Sequence, residues 1–216
     1  MREEEERLTR EKRARIERLF ANSGLGPRFG RCTFDNWEKR SGTEEAYTVA
    51  AEYAQNIISN VRSGRGFLIF GDTGNGKSHL SAAVVNAALK KGLTAVFERV
   101  PKLLTRIKAT YSGGDITEQL ILKTLTEADL IVLDDAGAEK WTEWTEPTLY
   151  TIIDERYSWE KAIIVTTNSD LEGLEKKIGF RAMDRLLEMC EIVENRGASF
   201  RKERAKERMS RTDLNS

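Results

Sequence analysis

The stretch Gly71-Asp72-Thr73-Gly74-Asn75-Gly76-Lys77-Ser78 follows the spacing G-x-x-x-x-G-K-[ST] in full. Each residue type in it answers a need of phosphate binding. Gly71, Gly74 and Gly76 let the backbone curl so that its N–H groups face the β- and γ-phosphates of a nucleotide. Lys77 brings a point charge to the same phosphates, and the Ser78 hydroxyl suits a Mg²⁺ ligand. A helix opening at Lys77 adds its positive end. The expectation is therefore an ATP site with Mg²⁺, lined from Gly71 to Ser78. His79 comes next and borders that site, although a lone histidine on the inner face of a helix reads first as a packed residue.

Two further strand ends carry polar groups. Leu130-Ile131-Val132-Leu133 reads as a buried strand that delivers Asp134 and Asp135 to its C-terminal end, where ligands bind in parallel sheets. Asp134 is expected to hold Mg²⁺ through water, and Asp135 to orient the attacking water as general base. Ile163-Ile164-Val165-Thr166-Thr167 ends in Asn168, an amide suited to the γ-phosphate or the lytic water.

The elements that must position these groups follow from periodicity and punctuation. The pattern Ala46, Val49, Ala50, Tyr53, Ile57, Ile58 predicts one helix from Thr43 to Val61. Strands are expected at Phe67–Phe70, Thr94–Phe97, Leu130–Leu133, Ala162–Thr167 and Cys190–Val193, with helices at Lys77–Lys90, Val100–Ala109, Ile116–Leu125, Thr145–Tyr157 and Arg181–Glu188. Strands alternating with helices imply an α/β fold, a five-stranded, mainly parallel sheet between helices. Residues 1–22 read as a charged helix supported by pairs such as Glu6/Arg10 and Glu11/Arg15. Its apolar residues, Leu8, Ile16, Leu19 and Phe20, look too sparse for a buried stripe, which predicts a solvated helix, a linker remnant or a partner contact. Residues 23–42 read as linker, 43–208 as the ATPase domain and 209–216 as a fraying tail.

Composition narrows the class. The 216 residues carry a formal net charge of zero, so no global field draws the protein to DNA or membrane. No apolar run approaches the roughly 18 residues of a membrane span. Cys32 and Cys190 stand far apart, and a single histidine without a CxxC pair argues against zinc. The reading is a cytoplasmic, reduced protein.

The three polar strand ends, followed by arginines, resemble the AAA+ ATPases, and in detail the bacterial replicative-helicase loaders of the DnaC/DnaI type. The resemblance covers about Phe29 to Arg208. It rests on Arg28-Phe29 and Thr33-Phe34, on Gly74-Asn75-Gly76-Lys77-Ser78-His79-Leu80, and on Asp134-Asp135-Ala136-Gly137-Ala138-Glu139-Lys140 leading to Glu143-Trp144. It continues through Ile152-Ile153-Asp154-Glu155-Arg156-Tyr157 and Thr166-Thr167-Asn168. The resemblance implies a homo-oligomer formed with ATP, in which Arg185 best matches the arginine that reaches a neighbour's site, with Arg181 as a second candidate. It makes Arg201 a ligand of the γ-phosphate in its own site, with only a minimal C-terminal lid. It implies a hexameric replicative helicase and single-stranded DNA as partners, the latter through Lys102, Arg106, Lys108 and Tyr111. Trp141 and Trp144 read as packing or as a partner surface. Two departures stand out: one short helix replaces the larger N-terminal helicase-binding domain of such loaders, and Asp135 replaces the usual glutamate, which suggests slow hydrolysis. A transposition helper ATPase of the IstB type, binding duplex DNA and a transposase, shares the same core. A small-molecule P-loop kinase would lack use for the sensor asparagine and the arginines after it.

Overall fold

The computed structural model describes residues 2–20, 24–138 and 142–213. In chain order they form α1 (Arg2–Phe20), α2 (Gly26–Phe29), α3 (Glu44–Gln55), α4 (Ile57–Arg62), β1 (Gly66–Phe70), α5 (Lys77–Lys90), β2 (Ala95–Arg99) and α6 (Val100–Ala109). There follow α7 (Glu118–Glu127), β3 (Leu130–Ala136), α8 (Thr145–Ser158), β4 (Ala162–Thr167), α9 (Leu171–Ile178), α10 (Phe180–Met189), β5 (Cys190–Glu194) and α11 (Phe200–Asp213). The strands make one sheet in the order β2-β3-β4-β1-β5, and every pairing is parallel. Among the described residues no helix is long and apolar enough to cross a membrane.

Alternation along each strand splits the core into two layers. Leu68, Val96, Ile131, Leu133, Ile163 and Val165 face the side covered by α1 and α6 to α10. Phe67, Ile69, Phe97, Val132 and Ile164 face α3, α4 and α5. With both faces covered, the central strands β1, β3 and β4 carry apolar runs rather than polar-apolar alternations, whereas the edge strand β5, Cys-Glu-Ile-Val-Glu, does not.

The structure departs from the sequence expectations at several elements. The helix expected from Thr43 to Val61 breaks at Asn56, whose φ of −100° and ψ of 23° leave the helical region. The helix α1 is docked: Ile16, Leu19 and Phe20 are buried on the α6–α7 side of the core. These three residues lie at i, i+3 and i+4, so a single turn supplies the whole apolar patch. Arg15 pairs with Glu127 of α7 rather than with Glu11, which instead meets Arg7 at 2.6 Å, and Lys12 meets Asp129 at 2.5 Å. The segment read as linker is also packed, with Leu25 and Cys32 buried under α5 and with Phe29, Phe34 and Trp37 beside them. The tail continues as α11 to Asp213.

Candidate functional site

The phosphate loop leaves β1 and enters α5, and three parts of the chain brace it. Gly71 has a φ of +131°, and a Cβ there would run into the Asn195 carbonyl oxygen at the exit of β5. Gly76 has a φ of +106°, and its Cβ would strike the Trp37 ring. The buried Asn75 side chain donates to Asn195 O at 2.6 Å, and the Phe200 amide at the start of α11 donates to Gly74 O at 2.9 Å. Lys77 is buried at the centre of the loop. Its ammonium donates to Gly71 O at 2.7 Å, Asp72 O at 2.8 Å, Asn75 Oδ1 at 3.2 Å and Asn168 Oδ1 at 2.9 Å. Burial pulls its pKa down to about 8 against the field of Asp135, Asp134 and Asp72.

Consecutive residues of a strand point to opposite faces, yet Asp134 and Asp135 both line the cleft. A bulge makes this possible: the register of β3 against β4 slips between Leu133 and Ala136, and Asp135 adopts a left-handed φ of 61°. Thr166 holds the bend. Its hydroxyl donates to Asp134 Oδ1 at 2.7 Å and accepts the Asp135 amide at 2.9 Å. The Asn168 side-chain amide donates to Asp135 Oδ1. Asp134 is 1% exposed, and burial raises its pKa, opposed by hydrogen bonds from Ser78 and Thr166 and by the charge of Arg99. Aspartate is among the residue types that tolerate the left-handed region, so Asp135 can carry its carboxylate into the cleft beside Asp134.

The cleft has a volume of about 450 Å³, within the range of small-molecule sites. Gly74 to His79, Asp134, Asp135, Asn168 and Arg201 all line it. Thr73 lines it too, while Asp72 is exposed beside it. His79 is a packed residue at its border: Nε2 lies 3.0 Å from Thr33 O, and the ring meets Trp37 edge-on. Arg201 is exposed next to Gly74 on the first turn of α11.

Four residues escaped the sequence reading, three that line the cleft and Asn195 behind the phosphate loop. Arg40 donates to Asn75 O at 2.9 Å and Ala198 O at 2.7 Å, tying the loop to the lead-in of α11. Trp37 roofs Gly76, Asn195 braces Gly71, and Arg99 sits 3.7 Å from Asp134. None belongs to a motif with a spacing, and Trp37 and Arg40 lie in the stretch read as linker. The one available signal was the aromatic-basic run from Arg28 to Arg40.

The remaining candidates lie elsewhere. Neither Arg181 nor Arg185 is among the residues lining the cleft. Arg185 pairs with Asp154 of α8 and lies over the rings of Tyr150 and Tyr157 at 5.4 and 5.0 Å. Arg181 is exposed on the same helix, without an ion pair among the described residues. On α6, Lys102 and Arg106 flank the buried Glu98 at 3.7 and 3.2 Å, and Arg106 also lies over Phe20. Lys108 is 5.8 Å from the Trp144 ring, whose Nε1 donates to the Tyr111 hydroxyl at 2.9 Å. Trp144 is thus packed in part, whereas Glu139, Lys140 and Trp141 lie outside the described residues.

A parallel β2-β3-β4-β1-β5 sheet with a phosphate loop after β1, carboxylates ending β3 and an amide after β4 defines an AAA+ P-loop ATP-binding domain. The chain belongs to the family of IstB-like ATP binding proteins, whose model matches residues 3–208. It is 31% identical over 181 residues to the replicative helicase loader DnaC of Escherichia coli (strain K12), a match covering 83% of this chain and 73% of that protein. The crystal structure of the DnaC helicase loader superposes with a TM-score of 0.71 at 27% identity, over 79% of this chain and 100% of that one. AMPPCP-bound DnaA from Aquifex aeolicus shares the fold, with a TM-score of 0.67 at 24% identity over 88% of this chain and 57% of that one.

Proposed function

We propose that this protein is an ATP-dependent loader of a replicative helicase in the bacterial cytoplasm. It acts as a switch that forms a homo-oligomer with ATP, grips the hexameric helicase and single-stranded DNA, and hydrolyses ATP slowly. The observation that carries this reading is the 31% identity to a helicase loader across 83% of the chain, beside a cleft that gathers Lys77, Ser78, Asp134, Asp135 and Asn168.

In this reading Lys77 exchanges the carbonyl oxygens of the loop for the β- and γ-phosphates of ATP. Ser78 and Asp134 converge and offer hard oxygen donors, the chemistry that Mg²⁺ selects. When bound, Mg²⁺ supplies positive charge to the phosphates as negative charge shifts towards the leaving group. Asn168 holds one oxygen of Asp135, so that the other can accept a proton from the attacking water. The short aspartate side chain places that oxygen further from the γ-phosphate than a glutamate would, consistent with a timer rather than a motor. Arg201 reaches the γ-phosphate from α11, and α10 offers Arg181 and Arg185 to a neighbouring copy. Lys102, Lys108 and Tyr111 supply cations and a ring for a single strand.

The family match supports one alternative, a transposition helper that binds duplex DNA and a transposase. The two separate on the client. A loader retains the hexameric helicase on closed circular single-stranded DNA with ATP and Mg²⁺, and Lys77→Ala removes the retention. Preference for duplex DNA with no effect on the helicase would select the helper.

A further inference from the structure

Arg99 ends β2 in register with Asp134, which ends the apolar part of β3. Its Nε lies 3.7 Å from Asp134 Oδ2, while Thr166 occupies Oδ1. The two partners differ sharply in environment: the Asp134 side chain is 1% exposed and that of Arg99 is 53% exposed. Arg99 also lies 5.5 Å from the centre of the Phe29 ring. A carboxylate buried to this degree is unfavourable without a counter-charge. In this cleft the counter-charge comes from a side chain that opens onto solvent.

We infer that Arg99 is a placeholder for the magnesium ion: it neutralises Asp134 in the metal-free protein and swings away from that carboxylate as the metal seats. The inference rests on the reading of the cleft as a Mg²⁺·ATP site. Two cations cannot share one side of a single carboxylate without strong repulsion, so Arg99 must give way. Its departure is inexpensive, because the metal takes over the counter-charge on buried Asp134 and the Arg99 side chain, 53% exposed and already over the Phe29 ring, leaves no unpaired buried charge behind. Arg99 is thus a positioning residue that sets how much Mg²⁺ is needed to close the site.

The test is ATP binding by calorimetry, with Mg²⁺ varied and with the metal removed by chelator, for the wild type, Arg99→Ala and Arg99→Lys. A pair at 3.7 Å whose arginine end is screened by solvent predicts shifts of about two- to fivefold. Arg99→Ala should lower the Mg²⁺ concentration for half-maximal ATP binding by that factor. It should also weaken metal-free ATP binding, because Asp134 then faces the triphosphate without its cation. Arg99→Lys, which keeps the charge, should fall between the two. An unchanged Mg²⁺ midpoint in Arg99→Ala, with normal Mg²⁺-dependent binding in the wild type, would overturn the placeholder and leave the ATP site standing. Weaker ATP but unchanged ADP binding at saturating Mg²⁺ would instead make Arg99 a γ-phosphate contact. A wild type that binds no ATP at any Mg²⁺ concentration would overturn the ATP site itself.

Discussion

Lys77 is surrounded by neutral oxygens, and burial has drawn its pKa from 10.5 to about 8. The folded protein therefore carries fewer protons than the unfolded chain between those two values, and Lys77 makes stability rise with pH across that interval. ATP binding has the opposite sign, because the phosphates need the charged form. Apparent ATP affinity should fall as pH rises past about 8, and binding there should take up protons. Calorimetry in two buffers of different ionisation enthalpy checks this; proton release on binding would contradict it. Asp135→Asn should leave ATP binding intact and slow hydrolysis by about 10²-fold or more, read from phosphate release. At this scale the motif residues were legible because their spacing is tied to the shape of a phosphate. Thr166, Arg99, Arg40 and Asn195 were not, since each reaches the site through a neighbouring strand or a distant loop. The bulge that turns Asp134 and Asp135 the same way has no signature in Leu-Asp-Asp-Ala.

Among the elements, α8 is anchored by an arginine that forms no ion pair within 4.0 Å among the described residues. Arg156 is wholly buried, and its guanidinium donates to the carbonyls of Leu125 at 2.9 Å, Thr126 at 3.1 Å, Ala128 at 2.5 Å and Asp129 at 3.2 Å, and to that of Ala162. It thereby closes the last turn of α7 and joins β3 to β4 at the end of the sheet away from the cleft, the charge complementing the helix C-terminus. Arg156→Ala should cost about 3 kcal/mol or more, because several buried carbonyls lose their donors at once; urea unfolding measures it, and a change under 1 kcal/mol would be incompatible with the network. Phe20→Ala should cost about 3 kcal/mol, the usual loss for a buried ring, whereas a merely solvated α1 would show almost none. Four strands were legible as apolar runs bounded by turns, whereas the edge strand β5, Cys-Glu-Ile-Val-Glu, offers only a short mixed segment. The helix α9 was not: Leu171–Ile178 is short and contains Gly173, and its start is fixed by Asp170 accepting the Gly173 amide at 2.8 Å. The helix α11 is charged at nine of its fourteen residues, so no apolar periodicity announces it.

For the whole molecule, neither Arg181 nor Arg185 of α10 lines its own cleft, which leaves both available to a neighbour's site in the proposed oligomer. If Arg185 serves a neighbour, it must first leave Asp154. Arg185→Ala should then spare ATP binding and abolish hydrolysis in the oligomer, while Asp154→Ala, which releases the arginine, should retain it. Equal loss in both would make the pair a structural clamp and turn attention to Arg181. The proposed DNA contact through α6 has fewer free cations than the sequence suggests, because Arg106 is engaged by Glu98 and Phe20. The central claim, that ATP binding at this cleft arms the protein for a helicase, is tested by light scattering of the chain mixed with its host's replicative helicase. With ATP and Mg²⁺ a defined complex heavier than the helicase hexamer should form, and Lys77→Ala should abolish it. A wild-type chain that binds ATP yet forms no complex under any nucleotide condition would contradict the loader account.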